Sequence, residues 1–423
     1  MARAKCPPPS DKAVSEVIFP EAPPVSTPTN GGTAKLHTFK GVSIDGKKID
    51  LKAIEHESEE KPAKGTIFFL CGGPKACIKD KRPKNLPRNF NVVTFDYIGL
   101  GRNSAANATA TMMSLDTQAR IAAEIVKGLK LKDYVIYGHS LGSAIATVAS
   151  SQVGEKSDVP QPKAVILEGV LGPRKEGLRD FSGVSNRIWS KLNPTEQAEI
   201  AKTMERIRAT EPRLAKEYDE KLIDQMAMGP ALVAGDFHEG LQYPRGERIA
   251  LLKKNVLGAD KSNGNFDNSK KGEKVYSALA CQAIRHHDRT EGKYYFAEGI
   301  LKARSNAEVE RAFCGCRSLS KDYAPSDYQI RAPILYINGD GDPLTPESGA
   351  RQHFDSQRSA PSKAFITVKD GGHYGTWHSL SGCVNTFFST AMTGDPSQIK
   401  KLDGFHGDCA APATGSAPQP RVQ

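Results

Sequence analysis

A pentapeptide with a glycine at each end and a serine in the middle constrains the fold of this chain more than any other feature. It reads G-H-S-L-G and occupies residues 138–142. The apolar run at 134–137 precedes it and predicts a strand, and the small-residue run at 143–148 follows it and predicts a helix. A serine in this setting lies on a tight turn, and its glycine neighbours leave room for crowded backbone. The motif predicts Ser140 as a nucleophile, with a glycine-rich turn as the alternative.

Short β-branched or aromatic runs alternate with helical patterns along the chain. The predicted strands are residues 37–42, 48–54, 66–70, 91–96, 134–137, 164–167, 334–337 and 364–368. Several are apolar on both faces, as a parallel sheet covered by helices requires. A helix predicted at 116–129 carries Ile121, Ile125 and Leu129 on one stripe. The pattern predicts an α/β fold with an open, mostly parallel, doubly wound sheet.

The spacing of the predicted strands breaks once, between residues 167 and 334, where one crossover helix would need only a dozen or two residues. We therefore expect a large, mainly helical cap inserted after the sixth strand. The predicted division is a flexible Pro-rich arm at 1–32, a first core part at 33–171, the cap at 172–325, a second core part at 326–410 and a flexible tail at 411–423.

Composition excludes several function classes. The formal net charge of +10 is scattered apart from a cluster at 79–84, which we interpret as a solvated loop, so no nucleic-acid partner is expected. No apolar run is long enough to span a membrane. The cysteines at 314 and 316 are too close for a zinc knuckle, and the pair of histidines at 286–287 has no further ligands, so no metal is expected.

The 8 cysteines form an even set that favours disulfides, whose pairing does not follow from spacing. Disulfides favour an oxidising compartment. Residues 1–5 contain no apolar segment, so we expect no signal peptide in this chain. A secreted or periplasmic protein is predicted, with a cytoplasmic one as the alternative. Cys6 precedes three prolines and is a weaker candidate for a lipid anchor.

A serine hydroxyl needs a general base that a carboxylate orients, and in a fold of this kind the chain order is serine, acid, histidine. His373 follows the strand at 364–368 and is the predicted base. Asp342 follows the strand at 334–337 and is the predicted acid, with Asp340 as the alternative. The other candidate histidines lie on predicted helices, and we expect them at the surface: His353 and His378.

The oxyanion of an acyl-transfer intermediate needs backbone N–H donors at two places. Leu141 supplies the first, directly after the serine. The second is expected from Gly73 in Cys71-Gly72-Gly73-Pro74, directly after the strand at 66–70. A plain Gly-Pro turn is the alternative. This chemistry requires no cofactor.

Five segments carry a family resemblance: Gly72-Gly73-Pro74, D-Y-I-G-L-G-R-N-S at 96–104, the motif at 138–142, G-x-x-D-x-x-T-P at 339–346 and Gly372-His373. Together they resemble the α/β-hydrolase superfamily, and more narrowly its proline iminopeptidase and tripeptidyl aminopeptidase branch, over about residues 36–394. The resemblance implies an α/β-hydrolase fold and a serine peptidase that removes residues from peptide N-termini. It implies Ser140, Asp342 and His373 as triad and Gly73 and Leu141 at the oxyanion hole.

Cysteine positions both depart from and match that family. Cys71 stands where the family usually has His or Gln, Lys75 replaces the last glycine of its Gly-Gly-Pro-Gly, and a Cys71–Cys77 bridge would tighten this loop. Cys383 with Cys409 is similar to the terminal cysteine pair of secreted members. Cys281 with Cys314 or Cys316 is a further candidate pair, within the cap.

An aminopeptidase must also bind the free α-ammonium of its substrate, which calls for a carboxylate near the site. The candidates are Glu168, just after the sixth strand, and Glu298 in the cap; a structural role is the alternative for each. The expected partner is thus a peptide or small ester substrate. The alternatives are a carboxylesterase or lipase-like enzyme with the same triad, and an inactive binding protein on the same scaffold.

Overall fold

An eight-stranded sheet is the centre of the computed structural model, within the described part of the chain. The structure describes residues 33–173 and 323–405, apart from gaps at 45, 74–76, 80, 84, 99–100, 104–113, 155–156, 343–344, 370, 372 and 374–379, together with 194–195 and 198. The strands are β1 (Ala34–Ile44), β2 (Lys47–His56), β3 (Thr66–Leu70), β4 (Asn91–Phe95), β5 (Tyr134–His139), β6 (Val165–Glu168), β7 (Ile334–Gly339) and β8 (Lys363–Val368).

The strands lie in the order β1-β2-β4-β3-β5-β6-β7-β8. β1 and β2 form an antiparallel hairpin, β2 pairs antiparallel with β4, and every further pair is parallel. All eight predicted strands are confirmed. β1 is longer than predicted. Its register shifts between Phe39 and Val42, where Gly41 has a φ of 64°. Pairing with β2 continues on both sides of this bulge, so the strand does not end there.

The described helices are α1 (Leu115–Gly128), α2 (Leu141–Gln152), α3 (Glu347–Ser356), α4 (Val384–Thr393) and α5 (Pro396–Lys400). Short 3-10 turns occur at Gly101–Asn103, Pro325–Asp327 and Ser381–Cys383. The helix predicted at 116–129 is α1, and it begins at Leu115 because the Ser114 side chain accepts a hydrogen bond from the Thr117 N–H. Ile121 and Ile125 of its apolar stripe are buried.

The central strands β3, β5, β6 and β7 are buried along their whole length. This agrees with the prediction of a parallel sheet covered on both faces. Aromatic side chains join the layers: the rings of Tyr137 in β5 and Phe388 in α4 meet edge to face at 5.3 Å. The sheet is therefore a rigid support for the residues that follow the carboxyl ends of its strands.

Several predicted segments lie outside the described residues. These are the arm at 1–32, almost all of the cap predicted at 172–325, and the tail at 411–423, so these boundaries stay predictions. Within the residues that the structure describes, no helix is long and apolar enough to cross a membrane. In the basic cluster at 79–84, Lys79 and Lys81 are exposed as expected, but Arg82 is half-buried and donates to the Pro87 carbonyl.

His353 is buried in α3, so the prediction that it lies at the surface was wrong. Hydroxyl groups surround its ring: Nδ1 is 2.9 Å from the Tyr336 hydroxyl, and Nε2 is 3.0 Å from Thr147 Oγ1 and 3.1 Å from the Tyr323 hydroxyl. Thr147 donates its own proton to the Ser143 carbonyl, so it accepts from Nε2–H. Burial lowers the pKa of His353 from 6.5 to about 3.

Because His353 is buried and neutral, we expect the stability of the folded protein to depend on pH. The unfolded chain binds a proton on His353 near pH 6.5, whereas the folded protein does so only at about pH 3. Stability is therefore complete above pH 6.5 and falls with pH below it, by on the order of 4 kcal/mol at pH 3 from this residue. Urea unfolding at pH 7, 6, 5 and 4 should show a smaller pH dependence for His353→Gln than for the unsubstituted protein; equal slopes would contradict this assignment.

Candidate active site

Ser140 lies on a backbone turn that side-chain-bearing residues rarely adopt. Its φ is 55° and its ψ is −124°, between the end of β5 and the start of α2. An added Cβ at Gly142 would lie 1.9 Å from the Leu70 carbonyl oxygen, and one at Gly138 would lie 2.4 Å from the Gly142 carbonyl oxygen. Both positions therefore require glycine, as the motif predicts. The Ser140 N–H donates to the Glu168 carbonyl at 2.9 Å, which attaches the turn to β6.

The carboxylate beside His373 is that of Asp342. His373 Nδ1 lies 2.8 Å from Asp342 Oδ2, and the two residues are 6% and 0% exposed. Thr345 fixes the carboxylate through its N–H to Oδ1 at 3.0 Å and its hydroxyl to Oδ2 at 2.5 Å. The alternative acid, Asp340, is half-buried at the end of β7, and its N–H donates to the Val368 carbonyl. With Nδ1 donating to Asp342, Nε2 is the nitrogen of His373 that can accept a proton.

The turn of Ser140 and the ring of His373 meet at the carboxyl end of β6. Gly169 follows Glu168, the residue that accepts the Ser140 N–H, and an added Cβ at Gly169 would lie 2.9 Å from His373 Cε1. The φ of Gly169 is 56°, a conformation that also favours glycine. The His139 ring stands 4.8 Å from the His373 ring between centroids. The three predicted triad residues are therefore brought to one edge of the sheet.

The predicted oxyanion donors lie on two sides of Ser140. Leu141 is the first residue of α2, and the first N–H groups of a helix have no acceptor within it. On the other side, an added Cβ at Gly72 would lie 2.9 Å from Ser140 Cβ. Gly73 follows with a φ of 136°, a conformation that favours glycine. Pro74, needed for the alternative of a plain Gly-Pro turn, lies outside the described residues.

The bridge between Cys71 and Cys77 is confirmed. Cys383 is also disulfide-bonded, while its predicted partner Cys409 lies outside the described residues. His378 and Glu298 also lie outside the described residues, as do the remaining cysteines, at 6, 281, 314 and 316.

Glu168 lies within the site but is 1% exposed. Its carboxylate accepts a hydrogen bond from the Tyr137 hydroxyl, and its carbonyl accepts the Ser140 N–H. The carboxylate therefore already has a hydrogen-bond donor inside the protein. Among the described residues, no group of three or more His, Cys, Asp or Glu side chains could hold a metal ion.

Three residues of the site were missed by the sequence analysis: His139, Ser143 and Thr345. The Ser143 hydroxyl donates to the Ser140 carbonyl at 2.6 Å and accepts from the Leu171 N–H at 3.0 Å. The signal for Thr345 was its position three residues after Asp342, the spacing at which an aspartate side chain accepts a backbone N–H. His139 is within the motif itself, but its partner is 234 residues away in sequence.

We expect substitution of His139 to lower kcat. Its Nε2–H donates to the His373 carbonyl at 2.9 Å, which fixes the backbone that carries the base. We expect His139→Ala to lower kcat by about 10-fold, because a misplaced base transfers the proton less well. His37→Ala, at a histidine of edge strand β1 that pairs with Glu55, is the matched control. Equal kcat values for the two variants would contradict the role of His139.

Comparison with known proteins places this geometry in a fold class. A family model described as alpha/beta hydrolase fold matches residues 69–176. The strand order, with parallel strands on both sides of β5 and the serine turn after it, is that fold. The protein therefore has the α/β-hydrolase fold. The superfamily with this fold consists generally of hydrolytic enzymes. No curated protein sequence matches the chain.

Solved structures with a similar fold come from several bacteria. A proline iminopeptidase from Mycobacterium smegmatis is 13% identical, with 85% of this chain and 99% of that chain covered and a TM-score of 0.46. A bromoperoxidase from Bacillus anthracis is 15% identical, covering 85% and 100%, with a TM-score of 0.40. A serine hydrolase from Cycloclasticus zankles is 14% identical, covering 84% and 98%, with a TM-score of 0.42. Identities this low carry no information about the substrate of this chain.

Proposed function

We propose that this protein is a serine hydrolase with Ser140 as nucleophile, His373 as general base and Asp342 as the acid that orients it. One observation carries the proposal: His373, 2.8 Å from the buried Asp342, lies beside the turn that presents Ser140, with its ring 4.8 Å from that of His139 between centroids. A serine hydroxyl is unreactive without such a base, and a buried carboxylate stabilises the imidazolium that forms during reaction.

The reaction under this proposal has two halves. In the first, Ser140 Oγ attacks the substrate carbonyl, His373 Nε2 takes the serine proton, and the proton then passes to the leaving amine or alcohol as the acyl–serine bond forms. In the second, water attacks the acyl-serine, gives a proton to His373, and releases the acid while Ser140 recovers its proton. The N–H groups of Gly73 and Leu141 stabilise the oxyanion in both halves.

The environment of Asp342 supports its role as the orienting acid. Both of its oxygens accept hydrogen bonds, from the Thr345 N–H and hydroxyl and from His373. These contacts and its burial hold the carboxyl group of Asp342 in one orientation. Its contact to Nδ1 fixes the tautomer of His373 with Nε2 unprotonated, which is the form that accepts the serine proton.

For the substrate we propose peptides with a free N-terminus, so that the enzyme is an aminopeptidase. The motif resemblance supports this choice, from Gly72-Gly73 through G-H-S-L-G to His373. An aminopeptidase must recognise an α-ammonium, for which Glu168 and Glu298 are the candidates. The hydrogen bond from Tyr137 to Glu168 favours the second candidate function, a carboxylesterase or lipase-like enzyme, because that carboxylate then serves the interior of the protein.

A panel of matched substrates separates these candidates. Prolyl, alanyl and tripeptidyl nitroanilides are compared with free and with acetylated N-termini, together with a short-chain nitrophenyl ester, and Ser140→Ala is the blank. The proposal predicts Ser140-dependent cleavage of the free amides and little or none of the acetylated ones. Ester turnover without amide cleavage would favour the carboxylesterase. No Ser140-dependent turnover at all would favour the inactive binding protein.

We further propose that the protein works in an oxidising compartment, outside the cell or in the periplasm. The support is the disulfide bonding of Cys71, Cys77 and Cys383, since thiols in the cytosol are kept reduced. Alkylation of thiols in intact cells, followed by peptide mass spectrometry, should find Cys71 and Cys77 unmodified and linked. Full alkylation of both would instead indicate a cytoplasmic protein.

A further inference from the structure

We infer that the Cys71–Cys77 disulfide is a positioning element for catalysis: it holds the backbone at Gly72 and Gly73 in the geometry that stabilises the oxyanion. The inference rests on the proposed serine hydrolase function. It concerns the loop bounded by Cys71 and Cys77, which follows β3 directly.

The first end of this loop is packed against the turn that carries the serine. The first turn of α2 approaches so closely that an added Cβ at Gly142 would lie 2.8 Å from the Cys71 carbonyl oxygen. That carbonyl accepts a hydrogen bond from the buried Tyr97 hydroxyl. Cys71 and the buried Gly72 are therefore packed against the turn of Ser140, and the half-buried Gly73 is the next residue of the loop.

The second end of the loop is fixed by Asp96, directly after β4. The Asp96 carboxylate is 1% exposed, and its Oδ1 accepts hydrogen bonds from the backbone N–H groups of Cys77 and Ile78. Its Oδ2 accepts from the Arg102 N–H at 2.7 Å. Burial raises the pKa of Asp96, while these three N–H groups favour its ionised form. Cys77 is thus attached to a different strand from Cys71.

Two glycines, Gly72 and Gly73, follow Cys71 and by themselves restrict the backbone little. Gly72 and Gly73 have no side chains, and glycine has the greatest conformational freedom of any residue. Gly73 has a φ of 136°, so its native conformation is one among many that glycine can reach. A covalent bond across so short a loop removes most of those alternatives. The bond between the buried residues Cys71 and Cys77 links the end of β3 to the segment that Asp96 holds after β4.

Catalysis is sensitive to this geometry because an oxyanion donor acts only when it is already oriented. The oxygen of the substrate carries most of its charge in the transition state, so a loosened donor weakens the transition state more than the ground state. Loss of the bond should therefore appear in kcat and leave KM nearly unchanged. A disulfide that only stabilised the overall fold would not lower kcat while leaving KM nearly unchanged.

The test compares Cys71→Ala/Cys77→Ala with Cys383→Ala, which removes a disulfide elsewhere in the chain. With the nitrophenyl ester as substrate, the double variant should lose about 10- to 100-fold in kcat with KM within about twofold. Its affinity for a trifluoromethyl ketone, which forms a tetrahedral oxyanion adduct with the serine, should fall by the same factor as kcat/KM. Cys383→Ala should keep both values while lowering the thermal midpoint.

The results of this comparison separate the role of the disulfide from the proposed hydrolase function. An unchanged kcat in a folded double variant, with turnover that still requires Ser140, would overturn the role of the disulfide and leave the proposed function standing. Turnover that does not require Ser140 would overturn both. Should the double variant fail to fold, the unsubstituted protein is assayed before and after reduction with a phosphine, and mass spectrometry of alkylated peptides verifies that the Cys71–Cys77 bond is open. The same selective loss of kcat is then expected, and its absence would overturn the inference.

Discussion

Ser140→Ala should lower kcat by about 10⁴- to 10⁶-fold on any substrate that the protein hydrolyses. The expected loss is this large because the acyl-serine pathway uses the Ser140 hydroxyl as its nucleophile. The protein should remain folded, since the Ser140 side chain is only half-buried and its backbone contact to Glu168 is kept. Steady-state kinetics on the best nitroanilide or ester, with circular dichroism as the folding control, measure the effect.

The matched control for this variant is Ser143→Ala, three residues further along α2. Ser143 contacts the Ser140 carbonyl and the Leu171 N–H, so its loss should reduce activity only modestly. Comparable losses in the two variants would mean that the serine turn matters as a structural feature and that Ser140 is not the nucleophile.

Asp342→Asn should lower kcat by about 10⁴-fold near pH 7 while leaving the fold intact. An asparagine of the same shape can keep the contact to Thr345, but it removes the charge that fixes the His373 tautomer with a basic Nε2. Part of the activity should return as pH rises, when hydroxide assists the reaction without the base. The pH dependence of kcat from pH 6 to 10 is the measurement.

Asp340→Asn separates the two candidate acids, because Asp340 also lies at the end of β7, whereas the 2.8 Å contact to His373 Nδ1 is made by Asp342. It should retain kcat within about threefold, since the residue proposed to orient the base is unchanged. A large loss in Asp340→Asn with a small one in Asp342→Asn would contradict the assignment of the acid.

Much of this fold could be predicted from the sequence because its signals are local. Each strand is a short apolar run, α1 has a clear stripe with a serine cap, and G-x-S-x-G marks one strand-turn-helix junction. The chain order of serine, acid and base then pointed to Asp342 and His373, which the structure shows as neighbours. The Cys71–Cys77 bridge could be named as a candidate only after the family resemblance had placed both cysteines in the loop after β3.

The rest required contacts between residues that are distant in sequence. His353 was expected at the surface because its helix is polar overall, but hydroxyls from β7, α2 and the segment before β7 satisfy its ring inside the protein. His139 was overlooked for the same reason, since only the folded chain brings it to His373. The role of Glu298 and the cap boundaries stay predictions from sequence.

Labelling with a fluorophosphonate shows whether Ser140 is an activated nucleophile, because this probe reacts with a serine that a base has activated. The purified protein is treated with the probe, digested, and mapped by peptide mass spectrometry, with Ser140→Ala and Asp342→Asn alongside. We expect one modified residue, Ser140, no label in Ser140→Ala and slow labelling in Asp342→Asn. An unlabelled protein, or a label on another residue that persists in Ser140→Ala, would contradict this expectation.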